Sequence, residues 1–543
     1  MKTNRGARSL ILVLALSTAA GIVSCKKTKT TDPISPPVSP PTSGGGTGSR
    51  ADLTRDSIFL YAKQVYLWND ALPTYEAFNP SKYTTGSTDL ANYNSELFAI
   101  SQLKINPATS LPYEYRTDAP TVAKYSRIED IGNKNPVAMI APVNSVNTDG
   151  IGYDLGFLTF KAYGTNTNFR LYVAAVSPGS SAASKGLTRG AQITNINGTA
   201  IGSDFGSQSA LINTLLGNAI TSAAVGGLRT DGTAFSETLT RTSYTSSPVY
   251  KSKVFTQGGK KIGYMAFARF SSLTNSGSDT NLDPVFADFA TQGVTDLIVD
   301  LRYNGGGFVS TAEYLINLIA PSSATGTMYI EKYNALMQSN SATILSNQPL
   351  TDANGKVRYG TDGKMLTYAN VNYSQASNTA VFSKKGSLRN ATNIVFIVSG
   401  NTASASELTI NALRPFMNVK LVGTQTYGKP VGFFPIRMEN KYDVYYSMFE
   451  TVNSRGEGSY YAGFTPDIVD TFDDASRDFS DAQENYVAKA LNLLAPTAVA
   501  ATRSASADPF RTTATSSAST QMIGKIASPS GLIGMVETRH TLK

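Results

Sequence analysis

One serine and one lysine carry the most chemical weight in this sequence. Ser404 lies in Thr402-Ala403-Ser404-Ala405-Ser406-Glu407, after an apolar run, Ile394–Val398, that reads as a buried strand. A helical pattern follows through Leu408, Ile410, Ala412 and Leu413 and stops near Pro415. A hydroxyl at that helix N-terminus sits where the macrodipole favours developing negative charge. A second buried strand, Val419–Val422, leads to a loop that carries Lys429 among Tyr427, Val431 and Phe433. Apolar neighbours can desolvate a lysine into a neutral amine that accepts a proton. The chain holds one histidine, His540, and one cysteine, Cys25, each close to a terminus. A Ser-His-Asp triad, Cys-His catalysis and a His-rich zinc site are therefore nearly excluded, and a nucleophilic serine needs a base of another residue type, for which lysine is the usual substitute. A plainer reading stands beside this one. Ser404-Ala405-Ser406-Glu407 also fits a capping box, and a single lysine is ordinarily solvated.

The elements around these residues read as α/β. Ile262–Phe267 is a strand, Leu282–Phe289 a helix, and Leu297–Arg302 a buried strand that runs into Tyr303-Asn304-Gly305-Gly306-Gly307. Ala312–Ile319 continues as a helix. A strand ending in glycines before a helix presents backbone N–H groups able to hold an oxyanion or a phosphate. The run lacks the Lys-Ser/Thr of a P-loop and the spacing of a dinucleotide fingerprint. Residues 321–390 read as an insertion near the cleft that shapes substrate access. Tyr445–Glu450 and Ile468–Asp470 are later strands and Ala482–Leu494 a terminal helix. The Ala/Ser/Thr-rich stretch 495–543 reads as a mostly disordered tail.

The 543 residues suffice for about three domains, and 41% hydrophobic content supports real cores. A net charge of +8 with no Lys/Arg block gives no footprint for nucleic acid. Residues 1–24 read as a signal peptide, with Lys2, Arg5 and Arg8 ahead of a short apolar Leu10–Leu16. Ile22-Val23-Ser24-Cys25 resembles a bacterial lipobox, which implies lipid on Cys25; an ordinary signal with a chance cysteine is the alternative. Residues 25–50, rich in Pro and Gly, form a tether. Residues 51–135 read as a helical N-terminal domain, with Asp52 or Thr54 capping its first helix and Trp68 in its core.

Between 145 and 245 short strands take over, with Asn197-Gly198 as a hairpin turn. Ser209–Leu216 suits a helix and Phe235–Thr240 a last strand. The order resembles a PDZ domain, with Leu155-Gly156-Phe157 in the place of its carboxylate-binding loop and Asp154 in that loop's first position. The resemblance implies capture of a peptide C-terminus by strand addition; a small barrel with no ligand is the alternative. An acid at 154 weakens the expected carboxylate site.

Three motifs in this order, Asp300–Gly307, Thr402–Glu407 and Tyr427-Gly428-Lys429, resemble the C-terminal processing (tail-specific) peptidases of family S41, as does Gly463-Phe464-Thr465-Pro466-Asp467. The resemblance spans about 51–494. It implies a multi-domain α/β fold, with a helical N-terminal domain, a PDZ-like β domain and an S41 peptidase core over 246–494. It also implies Ser404 as nucleophile, Lys429 as base, backbone N–H groups of Ala405 and Gly306 as oxyanion hole, and no cofactor or metal. Phe433 stands where the family often has a glutamine that orients the lysine. The expected function is a cell-envelope serine endopeptidase acting on protein or peptide substrates. It would be lipid-anchored in the periplasm or outer membrane of a Gram-negative bacterium. A non-catalytic peptide-binding envelope lipoprotein is the alternative, and the Tyr-bearing insertion also allows a lectin-like surface protein.

Overall fold

The computed structural model describes residues 48–132, 146–217, 219–275, 277–352, 355–496 and 534–543. The expected signal peptide, Cys25 and nearly all of the tether lie outside these residues, as does 497–533 of the expected tail. Residues Ser49–Lys543 form one compact unit.

A six-stranded sheet organises that unit, in the order 249–257, 260–267, 296–300, 393–398, 418–423, 468–469. The first strand is antiparallel and all the others run parallel. Strands covered on both faces should read as continuous apolar runs, and Leu297-Ile298-Val299 and Ile394–Val398 are fully or almost fully buried. The helices Leu282–Thr291, Val309–Ile319, Ala405–Leu413 and Asn485–Leu494 supply the covering. Sequence-read strands and helices of this half fall within a few residues of the observed ones. Tyr445–Glu450 is the exception. It is two strands, Tyr442–Tyr445 and Phe449–Asn453, separated by the buried Tyr446, Ser447 and Met448.

The N-terminal helices are not a separate domain. Helix Arg50–Val65 buries Ile58, Phe59, Ala62 and Val65 in the same core as Met265, Leu297 and Ile394. Strand Arg127–Asp130 pairs with Tyr442–Tyr445. The first helix is capped by Ser49, whose Oγ accepts the Asp52 N–H while the Asp52 carboxylate accepts the Ser49 N–H. Asp52 is thus the far half of a capping box rather than the cap, and Thr54 is not a cap.

The PDZ-like segment has its own sheet, ordered 234–240, 222–228, 192–196, 168–176, 157–165, and its own apolar core around Phe160, Leu171, Ile193 and Val225. Asn197 and Gly198 both take positive φ, 50° and 82°, between strands 192–196 and 199–200. The helix runs Phe205–Thr214, earlier than the apolar pattern suggested, because Asp204 caps it through the Ser207 N–H. The insertion is built into the fold. Its strands 327–333 and 379–381 join 449–453 and 431–432 in one sheet, with 449–453 between the insertion and the segment just after Lys429.

Candidate active site

Three neighbouring parallel strands deliver the three motifs. Asp300 is in register with Ile397, and Ile397 with Val422. The chain therefore leaves strands 296–300, 393–398 and 418–423 at the same edge of the sheet. Open α/β sheets place their ligands at these carboxyl ends. The glycine run follows the first strand, Ser404 the second and Lys429 the third.

Ser404 immediately precedes helix Ala405–Leu413 and has φ 63° and ψ −112°. A non-glycine residue rarely adopts a positive φ, and such strain gathers at functional positions. Its side chain is fully buried, and its Oγ has no hydrogen-bond partner among the described residues. The capping box is only half made. The Glu407 carboxylate accepts the Ser404 N–H at 2.9 Å, while the serine hydroxyl is left out. An unused hydroxyl in a dry interior costs stability, which the capping reading does not explain.

Glu407 ties the Ser404 turn to the Lys429 loop. Its Oε2 also accepts the Lys429 N–H at 2.8 Å, and its Oε1 accepts the Gly428 N–H at 2.8 Å and the Thr426 hydroxyl. Burial pushes this carboxyl up, and the four donors oppose that rise by favouring the ionised form. Ser404 and Lys429 thus hang from one oxygen atom.

Lys429 is 1% exposed. Its Nζ lies 4.4 Å from the centre of the Phe433 ring and 5.8 Å from that of Tyr125. Burial holds its amine well below the usual lysine range, helped by the Arg127 guanidinium and opposed by Glu114 and Glu407. Phe433, at the family's glutamine position, therefore offers the amine a ring face. Tyr125 steadies the loop by donating its hydroxyl to the Gly428 carbonyl at 2.6 Å.

The glycine run is stitched to the serine turn by Asn304. Its backbone carbonyl accepts the Ala403 N–H at 3.2 Å and the Ser406 hydroxyl at 3.1 Å. Its Oδ1 accepts the Gly306 N–H at 2.9 Å, so that expected oxyanion donor is engaged in this arrangement. Ala405, the other expected donor, is the first helical residue, where an N–H has no intrahelical acceptor. Gly306 has φ 106°, and a Cβ there would stand 3.0 Å from the Ser404 Cβ. Only glycine lets the run come this close.

Residues 261–470 match the model of peptidase family S41. This stretch of the chain is similar to a peptidase family S41 domain. A chloroplastic C-terminal processing peptidase of Tetradesmus obliquus is 25% identical over 170 residues, covering 31% of this chain and 26% of that protein. The chain thus matches about a quarter of that relative's length. A crystal structure of a candidate S41 protease from Bacteroides fragilis aligns with a TM-score of 0.51 at 20% identity, over 81% of this chain and 96% of that one. That likeness shows a shared fold over the aligned 81% of the chain.

Around the S41 domain, the expected carboxylate loop of the PDZ-like segment is internally occupied. The Gly156 N–H is donated to Asp154 Oδ1 at 2.7 Å, and Tyr244 donates its hydroxyl to the same oxygen. Leu155 and Phe157 point into the segment's core. The Leu155-Gly156-Phe157 loop is therefore distant in chemistry from an open anion site. A buried ionic network joins this segment to the S41 domain. Arg189 pairs with Asp473, while Arg302 pairs with Asp300, Asp473 and Glu484. Among the described residues, no group of His, Cys, Asp and Glu is arranged to hold a metal ion, and no helix is long and apolar enough to cross a membrane.

Sequence reasoning did not assign roles to Glu407, Asn304, Thr426 or Tyr125. Glu407 was visible only as a capping-box partner. Asn304 sat inside a recognised motif, but nothing local says that it bridges two turns. His540 packs against Tyr368 and Phe434, with ring centres 5.0 and 5.4 Å apart, and burial lowers it to about 4.

Proposed function

We propose that this protein is a serine endopeptidase in which Ser404 is the nucleophile and Lys429 the general base. One observation carries the reading: a buried, strained serine with an unused hydroxyl shares a carboxylate oxygen with a lysine whose amine burial holds well below the usual lysine range. Neutral Lys429 takes the proton from Ser404 Oγ as Oγ attacks the peptide carbonyl carbon. The oxyanion forms at the N-terminus of helix 405–413, where the Ala405 N–H and the helix dipole favour it. Gly306 contributes its N–H once Asn304 Oδ1 releases it. The C–N bond then breaks as Lys429 returns the proton to the leaving amine. Water, deprotonated by the same amine, releases the acyl group. No cofactor is needed for these steps.

The peptidase works on protein or peptide substrates. The lipobox-like Cys25 supports lipid anchoring at the envelope of a Gram-negative cell, with residues 25–50 as the tether. The PDZ-like fold supports peptide presentation by its edge strand 157–165, with the carboxylate loop contributing little. Casein hydrolysis and acyl-probe labelling by the purified protein test the catalytic reading. Both should vanish in Ser404→Ala and Lys429→Ala. Peptide binding that is untouched by Ser404→Ala, in a protein that neither cleaves casein nor takes the probe, would leave the non-catalytic peptide-binding lipoprotein as the better account.

A further inference from the structure

Gly534–Val536, at the head of the last ten residues, forms a strand inside the site, contrary to the tail expected there. Gly534–Val536 pairs in parallel with Gly306–Phe308, with Gly306 opposite Gly534 and Gly307 opposite Met535. On the other edge, Phe433 donates its N–H to the Met535 carbonyl, and Glu537 donates its N–H to the Phe433 carbonyl, each at 3.1 Å. The segment is thus hydrogen-bonded on one side to the glycine run and on the other to the residue four past Lys429. Met535 has no exposed surface and belongs to the main core. The point where a Gly306 Cβ would stand is 2.6 Å from the Gly534 carbonyl oxygen and 3.0 Å from the Ser404 Cβ. The Gly534 carbonyl oxygen and the serine Cβ therefore both border the space that a methyl group on Gly306 would fill.

Beyond this strand the segment stays anchored. Arg539 pairs with Glu313 and Glu537, and His540 packs on Tyr368 and Phe434. Asn372 donates its N–H to the Thr541 carbonyl, and Lys543 donates its own to the Asn370 carbonyl. Main-chain pairing with one side chain sunk in a pocket is how an extended peptide is recognised. Ser404 is 0% exposed, so no incoming protein reaches it in this arrangement.

We propose that residues 534–543 are a built-in occupant of the catalytic peptide channel, seated as a substrate strand would be and closing the site until displaced. This rests on the peptidase reading for its consequence, but not for its geometry. It also gives the substrate class: an extended peptide, parallel to Gly306–Phe308, with an aliphatic side chain at the buried position of Met535.

The test uses the full chain. Met535→Asp puts a charge into the pocket, and Arg539→Glu sets a repelling charge against Glu313 at a half-exposed position, so the second serves if the first fails to fold. In a Ser404→Ala background, hydrogen exchange of segments 306–308 and 433–434 should quicken in both variants. With Ser404 present, casein hydrolysis should rise about tenfold or more, as expected when nine-tenths of the molecules are otherwise occluded. A synthetic peptide of sequence 534–543 should restore the inhibition. Unchanged exchange together with an unchanged rate in a folded variant overturns the proposal. Faster exchange and peptide binding without hydrolysis by any form would keep the occupant and sink the peptidase reading instead.

Discussion

Ser404 and Lys429 donate their backbone N–H groups to the same oxygen, Oε2 of Glu407, at 2.9 and 2.8 Å. The other oxygen receives Gly428 and Thr426. Each carboxylate oxygen serves two donors, and an amide has only one accepting atom. Glu407→Gln should therefore leave buried donors facing an NH₂ group and cost about 1–3 kcal/mol. Urea unfolding measures that loss. Turnover should fall more than KM rises, because the carboxylate positions Ser404 and Lys429 and not the substrate. An equal change in both would assign Glu407 a merely structural role.

The pH profile follows from Lys429. Burial, then Arg127, holds its amine well below the usual lysine range. Only the neutral amine accepts the serine proton, so activity is low in acid and rises as pH climbs through the lowered pKa. Arg127→Gln removes a repelling charge and lets that pKa rise. The ascending limb of kcat/KM should then move to higher pH. A limb that stays put or moves the other way would rule out Lys429 as the titrating base.

Ser404 stores strain. Its positive φ and its unpaired hydroxyl both weigh against the folded state. Ser404→Gly should abolish hydrolysis and raise stability by about 1–3 kcal/mol, the usual cost of such a backbone. Ser404→Ala loses activity equally but keeps the backbone strain, so its thermal midpoint should lie below that of the glycine variant. Calorimetry of the pair separates backbone from hydroxyl.

The ionic joint between the PDZ-like segment and the S41 domain should fail in acid. Burial alone would raise the Asp473 carboxyl, but Arg189, Arg302 and Lys161 overturn that and hold it well below the carboxylate range. A depressed carboxyl contributes stability that is present above its unfolded pKa and lost as pH falls through the folded value. Arg189→Met removes one of the two guanidinium partners and should cost about 3 kcal/mol. The onset of acid unfolding, followed by circular dichroism, should move to higher pH in that variant.

The α/β half was legible because its strands are continuous apolar runs bounded by glycine, and because helix 405–413 follows at once. Ser404 and Lys429 could be singled out because the lone His540 leaves no imidazole to build a triad around. The half-made capping box was not legible, since Ser-x-x-Glu reads alike whether or not the hydroxyl takes part. Neither was the fate of 534–543. A short Gly-Met-Val after a polar stretch says nothing locally, and its strand exists only because Gly306–Phe308 and Phe433 leave a gap of one strand. The same blindness applied to residues 51–135, whose helices looked self-sufficient until Arg127–Asp130 found Tyr442–Tyr445.

That last pairing has a consequence for timing. Leu67 donates its N–H to the Ser447 carbonyl at 2.7 Å, and Tyr66, Ser126 and Ser447 all donate to the Glu114 carboxylate. The early chain can seat Tyr125 under the Lys429 loop only after residues beyond 447 have been made. Contacts so far apart in the chain form late. A half-synthesised copy therefore lacks the platform that Tyr125 gives the Lys429 loop.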